Sequence, residues 1–276
     1  MKRWKVGIAT LALAGVLAGA TPQSPGYTAY EKANTLFVEK KFPESLAAIE
    51  EALRLDPMLV PALTLKAKLA MAANRYDVAR QSLERALAID PKAGYAQFLY
   101  GLEAFLTNDM KEALPRFEKA RELRPKDSRA ALYLGLTTES VGSPEQALAL
   151  YEEAVKLETA EGEVHADTLL PGARLLMLLG RLEESERWLR RALKLSPASR
   201  DARFELARLL LKRGDAAHAA QEGEAALRLS EGVVTDTAIH YLLVRAWQEN
   251  GWPDRAAAHA GVIRALEAPP AKPMAH

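Results

Sequence analysis

The amino-acid sequence predicts an all-α fold, an α-solenoid of about seven antiparallel helix pairs. Two features of the sequence recur with a period of 34 residues, and the residues between them are mostly strong helix formers. Small residues occupy three columns of each repeat, and the most regular column is Ala52, Ala86, Ala120 and Ala154, followed after a four-residue insertion by Ala192 and Ala226. A proline stands five residues after that column at Pro57, Pro91, Pro125 and Pro197.

This pattern of small-residue and proline columns resembles the tetratricopeptide repeat family, and the resemblance implies that each repeat contains two antiparallel helices, A and B, that cross at the small residues. A small side chain at the crossing allows two helix backbones to approach closely, whereas a larger one would hold them apart. Proline lacks the N–H needed for the next helical hydrogen bond, so it ends helix B. Pro43, Pro144 and Pro253 mark the first turns of three B helices. The repeats are predicted to begin near Gly26, Val60, Gly94, Ser128, Ala166, Arg200 and Thr237.

A four-residue insertion, within residues 158–168 (ETAEGEVHADT), separates repeats one to four (26–159) from repeats five to seven (160–267). Thr159 stands where a closing proline is expected. Pro171 falls inside the next A helix, which we expect to begin late, with Pro171 in its first turn. Two arrangements stay open: a break between two blocks of repeats, or one continuous superhelix with a longer loop, which we favour.

The third repeat shows a family resemblance. The tetratricopeptide repeat (TPR) pattern has Leu, Gly, Ala, Phe, Ala and Pro at six positions, where repeat three has Tyr100, Gly101, Ala113, Phe117, Ala120 and Pro125. In the seventh repeat Val244 and Ile263 replace small residues and no closing proline follows, which suits a degenerate capping unit. Over residues 26–266 the chain resembles this family. The resemblance implies a right-handed superhelix whose concave groove, lined by A helices, binds a protein or peptide partner.

Residues 1–20 are typical of a bacterial signal peptide. A basic start, MKRWK, precedes an apolar run from Val6 to Ala20 that closes on small residues. This run is shorter than the roughly 20 residues that span a bilayer. We expect cleavage after Ala20, a short linker at 21–25 and a periplasmic or secreted protein; an uncleaved inner-membrane anchor is the alternative. The proline-rich residues 268–276 are predicted to form a disordered tail.

Charge and composition argue against several kinds of partner and anchor. Loss of residues 1–20 removes three cations, so the formal net charge changes from +1 to −2. No polybasic tract is left to bind nucleic acid or an anionic membrane surface, and the expected membrane contact is limited to the transient signal peptide. The sequence has no cysteine, which excludes disulfides and the lipid-bearing cysteine of lipoproteins.

No motif in the sequence predicts an enzyme or a cofactor. Nucleophile-elbow, phosphate-loop, dinucleotide-binding and metalloprotease patterns are all absent. His165, His218, His240 and His259 lie in different repeats or loops without the spacing of metal ligands, so we expect them not to pair and expect no metal site. We therefore interpret the chain as a non-enzymatic protein without cofactors.

The resemblance also implies which A-helix residues line the groove. The candidate partner-binding residues are Tyr30, Asn34, Phe37, Lys68, Met71, Phe98, Leu102, Phe105, Leu136, Arg174, Phe204, Arg208, Tyr241 and Arg245. In the first three repeats this lining is aromatic and apolar. The three arginines recur at one position of successive repeats and could form a ladder that holds carboxylates of an extended peptide. The family's carboxylate clamp is matched only in part, by Asn34 and Lys68.

Each part of this lining has an alternative interpretation. Phe98, Leu102 and Phe105 could pack against the neighbouring repeat, because aromatic and apolar residues at helical spacing usually form core. The arginines could instead form ion pairs with nearby carboxylates. The carboxylates considered for this are Asp167, Asp201 and Glu249.

The sequence thus predicts an interaction scaffold or adaptor of the bacterial cell envelope that binds an extended peptide or a partner helix. By analogy with similar envelope proteins, it would assist assembly of a pilus, secretion or exopolysaccharide system. Two other functions stay open: a glycan- or peptidoglycan-binding module, and a regulatory subunit of a separately encoded envelope enzyme. Self-association through the apolar end repeat is a further expectation, and it would involve Val233, Val234, Ile239 and Leu242.

Overall fold

The computed structural model describes residues 24–268, and in this range the chain forms fourteen α-helices and no strand. The predicted signal peptide and residues 269–276 of the predicted tail lie outside the described residues. The A helices are α1 (Pro25–Val38), α3 (Val60–Ala72), α5 (Gly94–Leu106), α7 (Ser128–Ser140), α9 (Ala166–Leu178), α11 (Arg200–Lys212) and α13 (Asp236–Glu249). The B helices are α2 (Phe42–Leu55), α4 (Tyr76–Ile89), α6 (Met110–Leu123), α8 (Pro144–Glu161), α10 (Leu182–Leu195), α12 (Ala216–Leu227) and α14 (Pro253–Glu267).

Most helix boundaries lie close to prolines in the sequence, and the helices confirm the predicted all-α fold of paired helices. Prolines stand in the first turns of α2, α8 and α14. The helices α2, α4, α6 and α10 each end two residues before a closing proline. Helix α1 begins at Pro25, because the Ser24 hydroxyl accepts a hydrogen bond from the Tyr27 backbone N–H at 3.2 Å.

The insertion between repeats four and five lengthens a helix. Helix α8 has 18 residues, whereas α2, α4, α6 and α10 have 14 each, and the four added residues make about one helical turn. The expectation that α9 begins late, with Pro171 in its first turn, is wrong: α9 begins at Ala166 and Pro171 lies inside it. The buried Glu158 carboxylate holds this early start, because it accepts from His165 N–H at 2.9 Å and from the Thr168 hydroxyl at 2.8 Å.

The described chain falls into two compact units, divided between Leu157 and Glu158 inside α8. We call residues 24–157 the N-terminal unit and residues 158–268 the C-terminal unit. In the N-terminal unit, α1 contacts α3, α3 contacts α5 and α5 contacts α7, so the A helices form one layer. In the C-terminal unit, α9 contacts α11 and α11 contacts α13 in the same manner. The B helices α2, α4, α6, α10, α12 and α14 each pack against the A helix that precedes them.

The predicted small-residue columns lie in the core of both units. The most regular column is completely buried at Ala52, Ala86, Ala120, Ala154, Ala192 and Ala226. Two repeats have serine in place of alanine in the B-helix column seven residues earlier. Ser45 and Ser185 are also completely buried, and each hydroxyl donates to an A-helix carbonyl, at 2.8 and 2.7 Å. A buried hydroxyl is accommodated at these crossings because its hydrogen bond is formed.

Candidate functional site

The A-helix face of the N-terminal unit contains nine of the predicted groove residues, and they differ in accessibility. Asn34 is exposed. The half-buried members are Tyr30, Lys68, Leu102, Phe105 and Leu136. The buried members are Phe37, Met71 and Phe98, with 5%, 8% and 4% of their surface exposed. The buried three contribute to the core beneath the face, so a partner on this side would meet mainly the exposed and half-buried residues.

An aromatic cluster fills the centre of this face. The Phe98 ring lies 5.8 Å from the Phe117 ring and 5.7 Å from the Tyr133 ring, centre to centre. Phe105 meets Tyr133 edge-on at 5.8 Å. These edge-to-face and tilted contacts are favourable arrangements for aromatic rings. Phe98 and Phe105 therefore pack against the neighbouring repeat, as the alternative interpretation expects. Tyr133 of α7 was not among the predicted site residues, because it was not at a transferred groove position.

A group of charged residues borders the aromatic cluster. Arg129 donates from Nε and Nη2 to the two carboxylate oxygens of Asp127, at 2.9 and 2.8 Å, and Arg124 Nε donates to the same carboxylate at 3.1 Å. Burial alone would raise the pKa of Asp127, but the hydrogen bonds and charges of the two arginines outweigh it and lower that pKa. The Arg129 guanidinium lies 5.3 Å from the Phe98 ring centre and 5.8 Å from that of Tyr95. Asp127 is thus shared between two cations.

Lys68 is a third cation on the same face, and its charge is not balanced in this way. Its Nζ lies 4.5 Å from the centre of the Phe37 ring. Within residues 24–268 no carboxylate forms an ion pair with it. Burial lowers the pKa of Lys68, and the positive charge of Arg129 lowers it further. Taking this ammonium group partly out of water has a desolvation cost that an opposite charge would offset.

Three half-buried tyrosines complete this face. Burial raises the pKa of Tyr30 to about 12, with smaller contributions from Tyr27, Tyr95 and Glu31. Burial also raises the pKa values of Tyr95 and Tyr133. The three phenols therefore keep their protons at neutral pH and can donate hydrogen bonds. These phenols add hydrogen-bond donors to the cations already described on the N-terminal A-helix face.

The C-terminal unit contains the other five predicted groove residues. Arg208, Tyr241 and Arg245 are exposed, and Arg174 and Phe204 are half-buried. Arg208 pairs with Glu205 at 2.8 Å and Arg245 with Glu249 at 2.6 Å, and Tyr241 donates to Glu267 at 3.0 Å. Two of the three arginines in the predicted ladder are thus held by carboxylates of their own helices. No ion pair of Arg174 is seen in the described part of the chain.

Two of the carboxylates considered as ion-pair partners of the arginines, Asp201 and Asp167, do not pair with them in the described residues. Asp201 accepts from the backbone N–H groups of Val233 and Val234, at 2.8 to 3.0 Å, and so fixes the loop between α12 and α13. No ion pair of Asp167 is seen in residues 24–268. Of the three predicted carboxylates, only Glu249 pairs with one of the predicted arginines.

Two histidines in the last repeat do pair, so the expectation that they lie apart is wrong. Nδ1 of His240 on α13 and Nδ1 of His259 on α14 are 2.9 Å apart. Burial lowers the pKa of His259 and His240 lowers it further, while Glu224 opposes both. The residues are 19 positions apart, and only the antiparallel packing of the two helices brings them together. No group of three or more potential metal ligands forms in the part of the chain that the structure describes.

None of the described helices is both long and apolar enough to cross a membrane. This finding concerns residues 24–268 and does not extend to the apolar run at the start of the sequence.

Comparison with known proteins identifies the repeat. Three segments, residues 64–115, 103–164 and 170–233, match the sequence profile described as Tetratricopeptide repeat, and together they cover more than half of the chain. The chain has no significant match among curated protein sequences.

Solved structures share the fold at low sequence identity. A tetratricopeptide repeat protein from Parabacteroides merdae superposes with a TM-score of 0.63 and 18% identity, over 89% of this chain and 94% of that one. The Cut9–Hcn1 hetero-tetramer of the APC/C gives a TM-score of 0.60 and 18% identity over 89% of this chain, which spans only 47% of that one. YrrB, described as a TPR protein with an unusual peptide-binding site, superposes with a TM-score of 0.51 and 21% identity, over 65% of this chain and 91% of that one. These likenesses show the fold.

Proposed function

Because the chain belongs to the tetratricopeptide repeat family, we propose that it is a protein-binding scaffold that holds an extended peptide or a helix of its partner on the A-helix face. Proteins of this family bind protein or peptide partners and are generally not enzymes. The function therefore depends on which side chains the A helices present.

The observation that supports the proposal is the unbalanced polar surface of the N-terminal A-helix face. Lys68 is half-buried without a carboxylate partner among the described residues, and the charge of Arg129 adds to the cost of burying it. Polar groups taken out of water are normally satisfied by hydrogen bonds or opposite charges. A bound segment of another protein would supply them.

We further propose that the protein acts in the bacterial cell envelope, as a periplasmic or secreted adaptor for assembly of a pilus, secretion or exopolysaccharide system. This part rests on the predicted signal peptide at residues 1–20, which lies outside the described residues. Intact-mass measurement on the exported protein tests it: a chain that starts at Thr21 supports the proposal, and a chain that retains residues 1–20 contradicts cleavage.

Site-specific photocrosslinking in native cells tests the binding face. A photoreactive phenylalanine is placed at exposed A-helix positions, Asn34, Arg208 and Arg245, and at exposed B-helix positions, Lys111 and Arg190, as matched controls. We expect adducts with the same partner protein at A-helix positions and none at the controls. Adducts restricted to the B-helix positions would contradict the proposed face. Retention of a glycan, with no protein adduct at any position, would favour the glycan-binding alternative.

A further inference from the structure

We propose that His240 and His259 together bind a divalent transition-metal ion with tetragonal geometry, such as copper(II). The two histidines lie in the last repeat, one on α13 and one on α14, and both side chains are half-buried. Neither histidine is among the residues on which the proposed peptide binding depends. The inference therefore stands independently of the proposed function.

The separation of the two rings carries the inference. Nδ1 of His240 lies 2.9 Å from Nδ1 of His259, and the ring centres are 5.1 Å apart with their planes inclined at 41°. Metal–imidazole bonds are about 2.0–2.1 Å long, so two nitrogens bound at a right angle lie about 2.9 Å apart, whereas two bound at the tetrahedral angle lie about 3.3–3.4 Å apart. The two Nδ1 atoms thus already have the separation that adjacent positions around a tetragonal ion require.

The donor atoms and their separation select the ion. Imidazole nitrogen suits copper, nickel and zinc, and a square-planar or tetragonal set of nitrogen and oxygen ligands is typical of copper(II) or nickel(II). Copper(II) generally binds most tightly among the first-row divalent ions. Two protein ligands leave the other positions of the ion to water, since no group of three or more potential ligands forms within residues 24–268.

The protons and charges at the pair permit binding. A hydrogen bond between the two rings requires a proton on one Nδ1, whereas a metal ion needs both Nδ1 lone pairs. The ion obtains them when that proton moves to Nε2 of the same ring, which changes no net charge. The negative charge of Glu224 on α12 also favours a cation at His259. Glu224 is half-buried, and within the described range no ion pair of this carboxylate is seen.

A purely structural hydrogen bond makes a different prediction from a metal site. If the pair only joins α13 to α14, added copper(II) should leave hydrogen exchange in both helices unchanged. If the pair binds the ion, copper(II) should slow exchange of the amides in α13 and α14, because a ligand that binds the folded repeat stabilises it. Exchange in α5 should stay the same, because repeats are coupled mainly to their neighbours.

Isothermal titration of the purified full-length protein with copper(II) at neutral pH tests the inference, together with this exchange measurement. The parent is compared with His240→Gln, His259→Gln and the matched control His218→Gln, whose histidine is exposed on α12 beside Asp215. Melting curves show whether each variant folds, and zinc(II) is titrated in the same way. Electron paramagnetic resonance of the parent with one equivalent of copper(II) counts the nitrogen ligands.

We expect the parent to bind one copper(II) ion more tightly than any other, through two nitrogen ligands. His240→Gln and His259→Gln should each weaken this binding about ten-fold or more, whereas His218→Gln should retain it. Zinc(II) should bind the parent less tightly than copper(II). Equal copper(II) affinity in the parent and in both pair variants, or unchanged exchange in α13 and α14, would overturn the inference, and equally tight zinc(II) would contradict the tetragonal geometry. If a variant does not fold, the exchange result of the parent decides.

Discussion

Replacement of Gly101 by alanine should destabilise the crossing of α5 and α6. A Cβ atom at this position would lie 2.8 Å from two atoms of the Phe117 ring, whereas ordinary contacts begin near 3.4 Å. The ring would have to move about 0.6 Å, but Phe117 is completely buried and its ring packs against Phe98 and Tyr133. Overpacking of this kind costs about 1–3 kcal/mol, and the better helix propensity of alanine returns about 1 kcal/mol. The expected net loss of stability is up to about 2 kcal/mol.

The chain provides a matched control in Gly261 of α14. This glycine is also helical, but a Cβ atom there has only an arginine side-chain nitrogen, 3.8 Å away, as a neighbour. Gly261→Ala should therefore benefit only from the higher helix propensity of alanine and raise stability by up to about 1 kcal/mol. The two variants should differ by about 1–3 kcal/mol.

Thermal unfolding followed by circular dichroism measures this difference, with a shift in melting temperature of about 2–4 °C per kcal/mol. Hydrogen exchange locates it, because repeats are coupled mainly to their neighbours: amides of α5 and α6 should exchange faster in Gly101→Ala, and those of α13 should not change. If Gly101→Ala melts higher than the parent, or shifts in the same direction and amount as Gly261→Ala, close contact with Phe117 does not explain the glycine.

Three further outcomes follow from named contacts. Because the pKa of His259 is lowered in the folded chain, stability should be lost as pH falls below the unfolded value of about 6.5. His259→Gln should therefore reduce the difference in melting temperature between pH 7 and pH 5. An equal difference in the parent and the variant would contradict a role for the pair with His240. Glu158→Gln should lower the free energy of unfolding in urea by about 1–3 kcal/mol, because the buried carboxylate accepts two hydrogen bonds at the start of α9. The exposed control Glu161→Gln should be nearly neutral, and equal effects of the two substitutions would contradict the role of Glu158 at the start of α9. Ser185→Ala should cost only about 1 kcal/mol by the same measurement, because alanine occupies this column in other repeats; a much larger loss would show that the hydroxyl is indispensable.

The candidate site was predictable in part. Transfer of repeat positions placed Lys68, Tyr30 and Asn34 on the A-helix face, because a fixed period fixes which residues share one side of a helix. The same transfer could not tell exposed positions from buried ones, and Phe98, with 4% of its surface exposed, belongs to the core. It also missed Tyr133, whose ring is held there by contacts from α5 and α6. Whether the predicted residues bind a partner stays a prediction.

The sequence by itself determined the helix pairs. Small residues at the crossings, prolines in first turns and prolines after B helices are local signals, because each acts through the backbone of a few consecutive residues. They located the repeats within the described range, although α9 begins earlier than its proline suggested. The insertion was visible for the same reason, as a change in period.

Only the tertiary structure decided what the insertion and the polar residues do. The early start of α9 depends on Glu158, which comes from the preceding helix, and the pairing of His240 with His259 depends on two helices lying side by side. The balance of charge around Lys68 depends on residues from α3 and α7, 61 positions apart at Lys68 and Arg129. Such contacts join residues that are distant in sequence, and no local propensity determines which charge meets which partner.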